Sequence, residues 1–191
     1  CVRWYDQSGN TNDATQSTTA NQPKIYDGTT GVVTENGKPA LECLSPKYLT
    51  LSSGATQPFT QHIVCNPGTA SSQFAYGEPL MLRYDSGGTT KYHDGAFRTP
   101  SPSFTNASGD QNHNMLFYYG ATTGYAVQNQ SSHQEEASVT FSNLRGATTS
   151  LGGKLTTGGV AALQEFIIWD NDQYSNRTNI EDNINTFYSI Y

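Results

Sequence analysis

The sequence predicts an all-β fold, a sandwich of two antiparallel sheets closed by one short C-terminal α-helix. Three observations predict it. Short strand-like runs recur, such as residues 59–65, where Phe59, Ile63 and Cys65 fall on one face. Turn chemistry rich in Gly, Asn, Asp and Ser recurs about every ten residues. Helical spacing shows only at the end, where Ile180, Ile184, Phe187, Tyr188 and Tyr191 recur.

The elements follow in order. Residues 1–5 read as a strand, and the polar run behind them as a turn. An extended piece at 22–25 turns over 26–30. Strands at 32–33 and 40–44 are split by Glu35-Asn36-Gly37-Lys38, where Asn36-Gly37 is a strong hairpin signal. Further strands are expected at 47–51, 59–65, 73–76, 80–84, 115–119, 125–128, 137–144 and 162–169. Gly-rich turns such as Asp85-Ser86-Gly87-Gly88 and Gly152-Gly153 separate them. Trp4 and Trp169 lie in strands and are expected to pack in the core. The helix is expected from Asn176 to about Ser189, capped by Ser175 or Asn176, with Ile180, Ile184, Phe187 and Tyr191 as its buried stripe.

No linker or internal repeat divides the 191 residues, so residues 1–191 form one domain of ordinary size. Charged residues are only 14% of the chain, and the polarity comes from Ser, Thr, Asn, Gln and Gly, with a mean hydropathy of -0.59. A net charge of -6 leaves no electrostatic footprint for nucleic acid or an anionic membrane. No apolar stretch approaches the roughly 18 residues of a membrane span. A neutral carbohydrate suits this polar, Tyr-rich composition better. Because Cys1-Val2-Arg3-Trp4-Tyr5 already reads as the middle of a strand, the chain is expected to be a fragment of a longer polypeptide.

The run WYDQSGNTNDATQ (residues 4–16) could be a calcium loop, a catalytic loop or a structural turn. Asp6 and Ser8 can bond backbone N–H groups of a tight bend, Gly9 can take a positive φ, and Asn12 and Asp13 can do the same further on. Calcium, the one cofactor considered, would need about six oxygens. Asp6 and Asp13 are its two candidate ligands, without the D-x-D-x-D-G spacing. The structural turn is the expected role, carried by Asp6, Ser8, Gly9 and Asn12.

Three cysteines are an odd count with no C-x-x-C spacing. Cys43 and Cys65 read as small apolar strand residues or, alternatively, as a disulfide. His62, His93, His113 and His133 form no metal-binding pair. There is no nucleophile elbow or phosphate loop. A sugar site pairs an aromatic face with amide or carboxylate acceptors. Tyr92 with Asp94 has that composition, and His113 and Tyr119 can add to it. These four are the candidate ligand-binding residues.

Four segments together resemble a family: WYDQSGNTNDATQ with QPKIYDG behind it, TENGKPALEC, LGGKLTTGGVAALQEFIIWD, and SNRTNIEDNINTFYSIY. They are similar to concanavalin A-like (laminin-G-like) jelly-roll domains common in phage and virus structural proteins and in secreted bacterial proteins. The resemblance runs from residue 4 to 191 and is specific at the two ends, while 66–150 matches little. It implies a non-enzymatic virion surface domain (the head of a fibre, spike or decoration protein) that attaches to a host glycan. The implied partners are a cell-surface glycan and other virion proteins, with a homo-oligomer if the domain is fibre-borne. The implied location is the virion surface or the extracellular space. In that family the position of Cys43 is usually aromatic or aliphatic, which favours a buried free thiol. The alternative is a carbohydrate-binding accessory domain of a secreted bacterial enzyme or adhesin.

The same motifs also resemble the catalytic domain of α-L-arabinofuranosidases, a glycoside hydrolase reading. Retaining hydrolysis needs two carboxyl groups about 5 Å apart. One of them sits in a Gly-Gly-Asp segment of those enzymes, and here the segment is Gly152-Gly153-Lys154. Glu78 alone is not a pair. The sequence therefore leads to the expectation of no catalytic residues and no enzyme.

Overall fold

Short alternating runs fold as short strands. The computed structural model describes residues 1–68, 73–76, 81–84, 90–93, 97–98, 113–119, 123–129, 134–137, 149–153 and 159–190. In chain order the strands are β1 (Arg3–Trp4), β2 (Ala14–Thr15), β3 (Tyr26–Asp27), β4 (Gly31–Val32), β5 (Thr34–Glu35), β6 (Lys38–Pro39), β7 (Leu49–Leu51) and β8 (Phe59–Asn66). There follow β9 (Gln73–Tyr76), β10 (Met81–Tyr84), β11 (Thr90–His93), β12 (Phe97–Arg98), β13 (His113–Tyr119), β14 (Thr123–Gln128), β15 (Gln134–Ala137), β16 (Ser150–Leu151) and β17 (Ala162–Trp169), and the helix α1 (Arg177–Tyr188) ends the series.

The larger sheet has the order β1-β2-β7-β16-β9-β10-β11-β12, and the smaller one β15-β14-β13-β8-β17. All the pairings are antiparallel. The apolar layer between them takes Ala14, Leu49, Leu51 and Leu151 from the larger sheet and Phe59, Ile63, Cys65 and Leu163 from the smaller. Trp4 packs against that layer. Fully burying a side chain such as Phe59 or Ile63 contributes roughly 1.5–3 kcal/mol. The expected all-β sandwich of two antiparallel sheets with a short C-terminal helix is the observed fold.

β8 is buried on both faces because α1 covers its outer one. Val64, which points away from the sandwich interior, packs against Ile184 and Tyr188, with Ile167, Ile180 and Ile190 around them. Thr60 ties the segment before the helix to the same strand: its hydroxyl donates to Asn171 O at 3.0 Å and accepts the Gln173 N–H at 2.9 Å. The two-residue turn between β5 and β6 has φ of 46° at Asn36 and 71° at Gly37, the positive pair that such a hairpin needs. A register shift between Leu163 and Glu165 makes Gln164 an extra residue in β17. Its Nε2 donates to Glu35 O at 3.0 Å and so pins the hairpin to the sheet. Among the described residues no helix is long and apolar enough to cross a membrane.

Three local expectations are corrected. Residues 40–44 do not form a ladder, because neighbouring residues pair with different partners. Leu41 bridges Leu163, Glu42 bridges Lys24, and the Cys43 N–H donates to Val160 O at 3.2 Å. The helix stripe is Glu181, Ile184 and Tyr188, spaced three and four apart, and not Phe187, which is 55% exposed. Phe187 instead carries the Lys38 ammonium 4.2 Å above its ring, and Tyr191 lies outside the described residues. Asn176 is the N-cap residue but makes no capping bond, since its Nδ2 donates to Gln173 Oε1 at 2.8 Å in the 3₁₀ turn that leads into the helix. Of the strand expected at 137–144 only Ala137, the last residue of β15, is described, and residues 138–144 lie outside the described residues.

Candidate functional site

The run behind β1 folds on the carboxylate of Asp6. The Ser8 N–H donates to Asp6 Oδ1 at 2.7 Å, while the Ser8 hydroxyl and the Asn12 N–H donate to Oδ2 at 2.8 and 2.9 Å. Ser8 Oγ in turn accepts the Asn10 N–H at 3.3 Å, and Gly9 between them has φ +84°. These bonds, the one from Asn12 foremost, hold the Asp6 carboxyl below its usual range. The Asp6 N–H donates to Asp13 Oδ1 at 2.9 Å, and Asp13 Oδ2 stands 3.5 Å from a guanidinium nitrogen of Arg3. The loop therefore ends by positioning a cation. Among the described residues no group of three or more His, Cys, Asp and Glu side chains comes together to hold a metal.

That cation stands on the outer face of the larger sheet. Trp4, Ala14, Leu49 and Leu51 point into the core, so alternation turns Arg3, Thr15 and Thr50 outward. The register then aligns them, Arg3 opposite Thr15 and Thr15 opposite Thr50. With Val2, Gln16 and Ser17 they line a groove of 340 Å³. Gln16 is held rigidly at its floor: Nε2 donates to Tyr48 O at 3.3 Å and Oε1 accepts the Thr18 N–H at 3.0 Å. Tyr5, two residues beyond Arg3, is 63% exposed, with the guanidinium 5.7 Å from its ring centre. A half-exposed cation, hydroxyls and an open aromatic ring thus meet at one place. These are the groups that donate to and stack on a sugar.

Of the ligand-binding residues expected from the sequence, Tyr92, His113 and Tyr119 lie elsewhere. Tyr92 is in β11 of the larger sheet, opposite Leu82 and Arg98. His113 and Tyr119 are the two ends of β13 in the smaller sheet, opposite Cys65 and Phe59, and six steps along the strand separate them by about 20 Å. Asp94 lies outside the described residues. The backbone therefore distributes Tyr92, His113 and Tyr119 over two sheets. Sequence reasoning missed the groove because β1 and β2 are two residues each, too short to display an alternation. The available signal was that Arg3, Thr15 and Thr50 each adjoin an inward apolar residue.

Cys43 and Cys65 are buried, Cys1 is half-buried, and no disulfide joins them. Burial, with Cys65 nearby, pushes the Cys43 thiol up to about 12.

No protein-family model and no curated protein matches the sequence. Solved structures do match. Trypanosoma rangeli sialidase in complex with sialic acid superposes on 94% of this chain with a TM-score of 0.62 at 10% identity, over 30% of its own chain. The same sialidase in complex with the inhibitor DANA covers 87% of this chain and 28% of its own, with a TM-score of 0.57 and 11% identity. Caenorhabditis elegans galectin LEC-6 matches 67% of this chain and 93% of its own at 15% identity, with a TM-score of 0.44, too low to carry an argument. This chain thus spans less than a third of the length of the sialidase chains it matches, and at such identities the likeness is one of fold.

The expectation that the chain is not an enzyme is overturned by this finding, because the fold that matches over nearly its whole length is carried by an enzyme. The expectation rested on Lys154 and Glu78 standing where an arabinofuranosidase would need a carboxylate pair. Both residues lie outside the described residues, so that comparison has no geometry beneath it. The solved structures likewise contain nothing specific to a virion.

Proposed function

We propose that this chain is a carbohydrate-binding β-sandwich domain of a longer polypeptide that acts at a glycan surface, with its sugar site in the groove at Arg3, Thr15 and Thr50. The observation that carries the reading is the register that aligns these three side chains beside the exposed ring of Tyr5. The shared fold supports it, since the matching sialidase structures are complexes with sialic acid and with the inhibitor DANA. A groove open to solvent on one side binds a single sugar with a dissociation constant on the order of millimolar, near -4 kcal/mol. Several copies on one particle or surface would supply the avidity.

The polypeptide that carries the domain is, on the strength of the four sequence segments, a fibre, spike or decoration protein at the virion surface. The sialidase superposition favours a second reading, a glycan-processing enzyme. The deciding experiment for the site is a glycan-array screen followed by titration of the hits against variants. Tyr5→Ala and Thr50→Val should each weaken binding about tenfold while the fold is retained. Binding untouched by both but lost in Tyr92→Ala or Asp94→Ala would move the site to β11.

A further inference from the structure

We infer that the groove selects glycans that carry a carboxylate, and that Arg3 is the residue that selects them. The inference rests on the sugar-binding reading of the groove and names its substrate class. Val2, Thr15, Gln16, Ser17 and Thr50 contribute apolar, hydroxyl and amide groups, so Arg3 supplies the one formal charge in the lining. A chain of net charge -6 presents a local cation there.

The guanidinium is held without being used up. Asp13 Oδ2 stands 3.5 Å from one of its nitrogens, longer than the roughly 2.7–2.9 Å of a charge-assisted hydrogen bond. The other Asp13 oxygen accepts the Asp6 N–H, which fixes Asp13 to the turn. The Tyr5 ring, 5.7 Å from the guanidinium carbon, supports it from a second side. The Arg3 side chain remains 53% exposed and lines the groove. A planar guanidinium fork matches the two oxygens of a carboxylate. Neighbouring Thr15 and Thr50 hydroxyls can then bond the ring hydroxyls of the same sugar. A neutral sugar would satisfy the hydroxyls and leave the cation unmatched.

Carboxylate sugars come from two sources, uronic acids and sialic acids, and paired probes separate them. The 191-residue chain is titrated by NMR with glucuronic acid against glucose, and with N-acetylneuraminic acid against its methyl ester, at low and high salt. In at least one pair the acid should bind about tenfold tighter than its neutral twin, with the gap shrinking in salt. The acid that shows the gap identifies the source. Arg3→Gln should abolish the gap, Arg3→Lys should keep part of it, and Asp13→Asn, which removes the competing charge but keeps an oxygen for the Asp6 N–H, should widen it. Neutral twins that bind as well as the acids, or a gap that survives Arg3→Gln, would overturn the inference while leaving the sugar site standing. No shift at the groove with any of the four probes, nor with the array hits, would remove the sugar site itself.

Discussion

Gly152 lies directly against the thiol of Cys43. A Cβ on Gly152 would overlap Cys43 Sγ, sit 2.7 Å from Cys43 Cβ and touch Leu163 Cδ2 at 3.7 Å, and the residue has φ +89°. Gly152 is therefore a packing requirement of the core, where the chain after β16 closes over a buried cysteine. Gly152→Ala should cost about 2–4 kcal/mol, the sum of a strained backbone and an overpacked contact. Adding Cys43→Ala should recover only the Sγ part of the overlap, because the 2.7 Å contact with the Cβ of residue 43 and the positive φ both remain. Urea unfolding of the two variants checks this, and a Gly152→Ala protein as stable as wild type would refute it.

Cys43 also makes the protein sensitive to alkali. Its thiol titrates near 9.0 when solvated and is pushed to about 12 in the fold. The folded state thus holds its proton more tightly than the unfolded state does. The associated stability is complete below pH 9 and is lost as pH rises toward 12, at about 1.4 kcal/mol per pH unit. Stability measured from pH 8 to 11 should fall along that slope, and Cys43→Ala should flatten it. An unchanged slope in the variant would assign the alkaline loss to other groups.

Much of the fold could be read in the sequence wherever one element was long enough to show a period. The strand read at 59–65 is β8 without its last residue, 162–169 matches β17 residue for residue, and Asn36-Gly37 forms the expected hairpin turn. Legibility failed where structure depends on contacts between distant segments. Residues 40–44 look like a strand but pair with Val33, Leu163, Lys24 and Val160 in turn, and the groove exists only because the two-residue strands β1 and β2 adopt a particular register with each other and with β7. The helix was legible as a helix, yet which side it buries was decided by the sheet beneath. Apolar content alone could not tell Phe187 from Tyr188.

That distinction is testable. Ile184 is 6% exposed against Val64, whereas Phe187 is 55% exposed beneath the Lys38 ammonium. Ile184→Ala should cost about 2–4 kcal/mol through lost burial and the cavity left behind. Phe187→Ala should cost under about 1 kcal/mol, since it forfeits a surface cation–π contact and a ring that water already reaches. Equal losses in thermal or urea unfolding would mean that the helix sits rotated from this orientation.

The last prediction concerns Asp6, whose two oxygens accept three donors within one tight loop. Asp6→Ala leaves the N–H groups of Ser8 and Asn12 without their partner and should lower the melting temperature at neutral pH. Asp6→Asn should recover only part of the loss, because an amide nitrogen must then face one of those donors. The sign with pH follows from the depressed carboxyl pKa. The contribution is present above 3.8, the carboxyl's ordinary value, and fades as pH falls below it. The gap between wild type and Asp6→Ala should therefore close in acid. Sugar binding by the folded variant should stay within about twofold of wild type, since Asp6 reaches Asp13, and through it Arg3, by a backbone N–H that alanine retains. Melting curves from pH 2 to 7 with parallel titrations measure both effects. A calcium-dependent rise in the wild-type melting temperature that disappears in Asp6→Ala would make these oxygens metal ligands and sink the structural account of the turn.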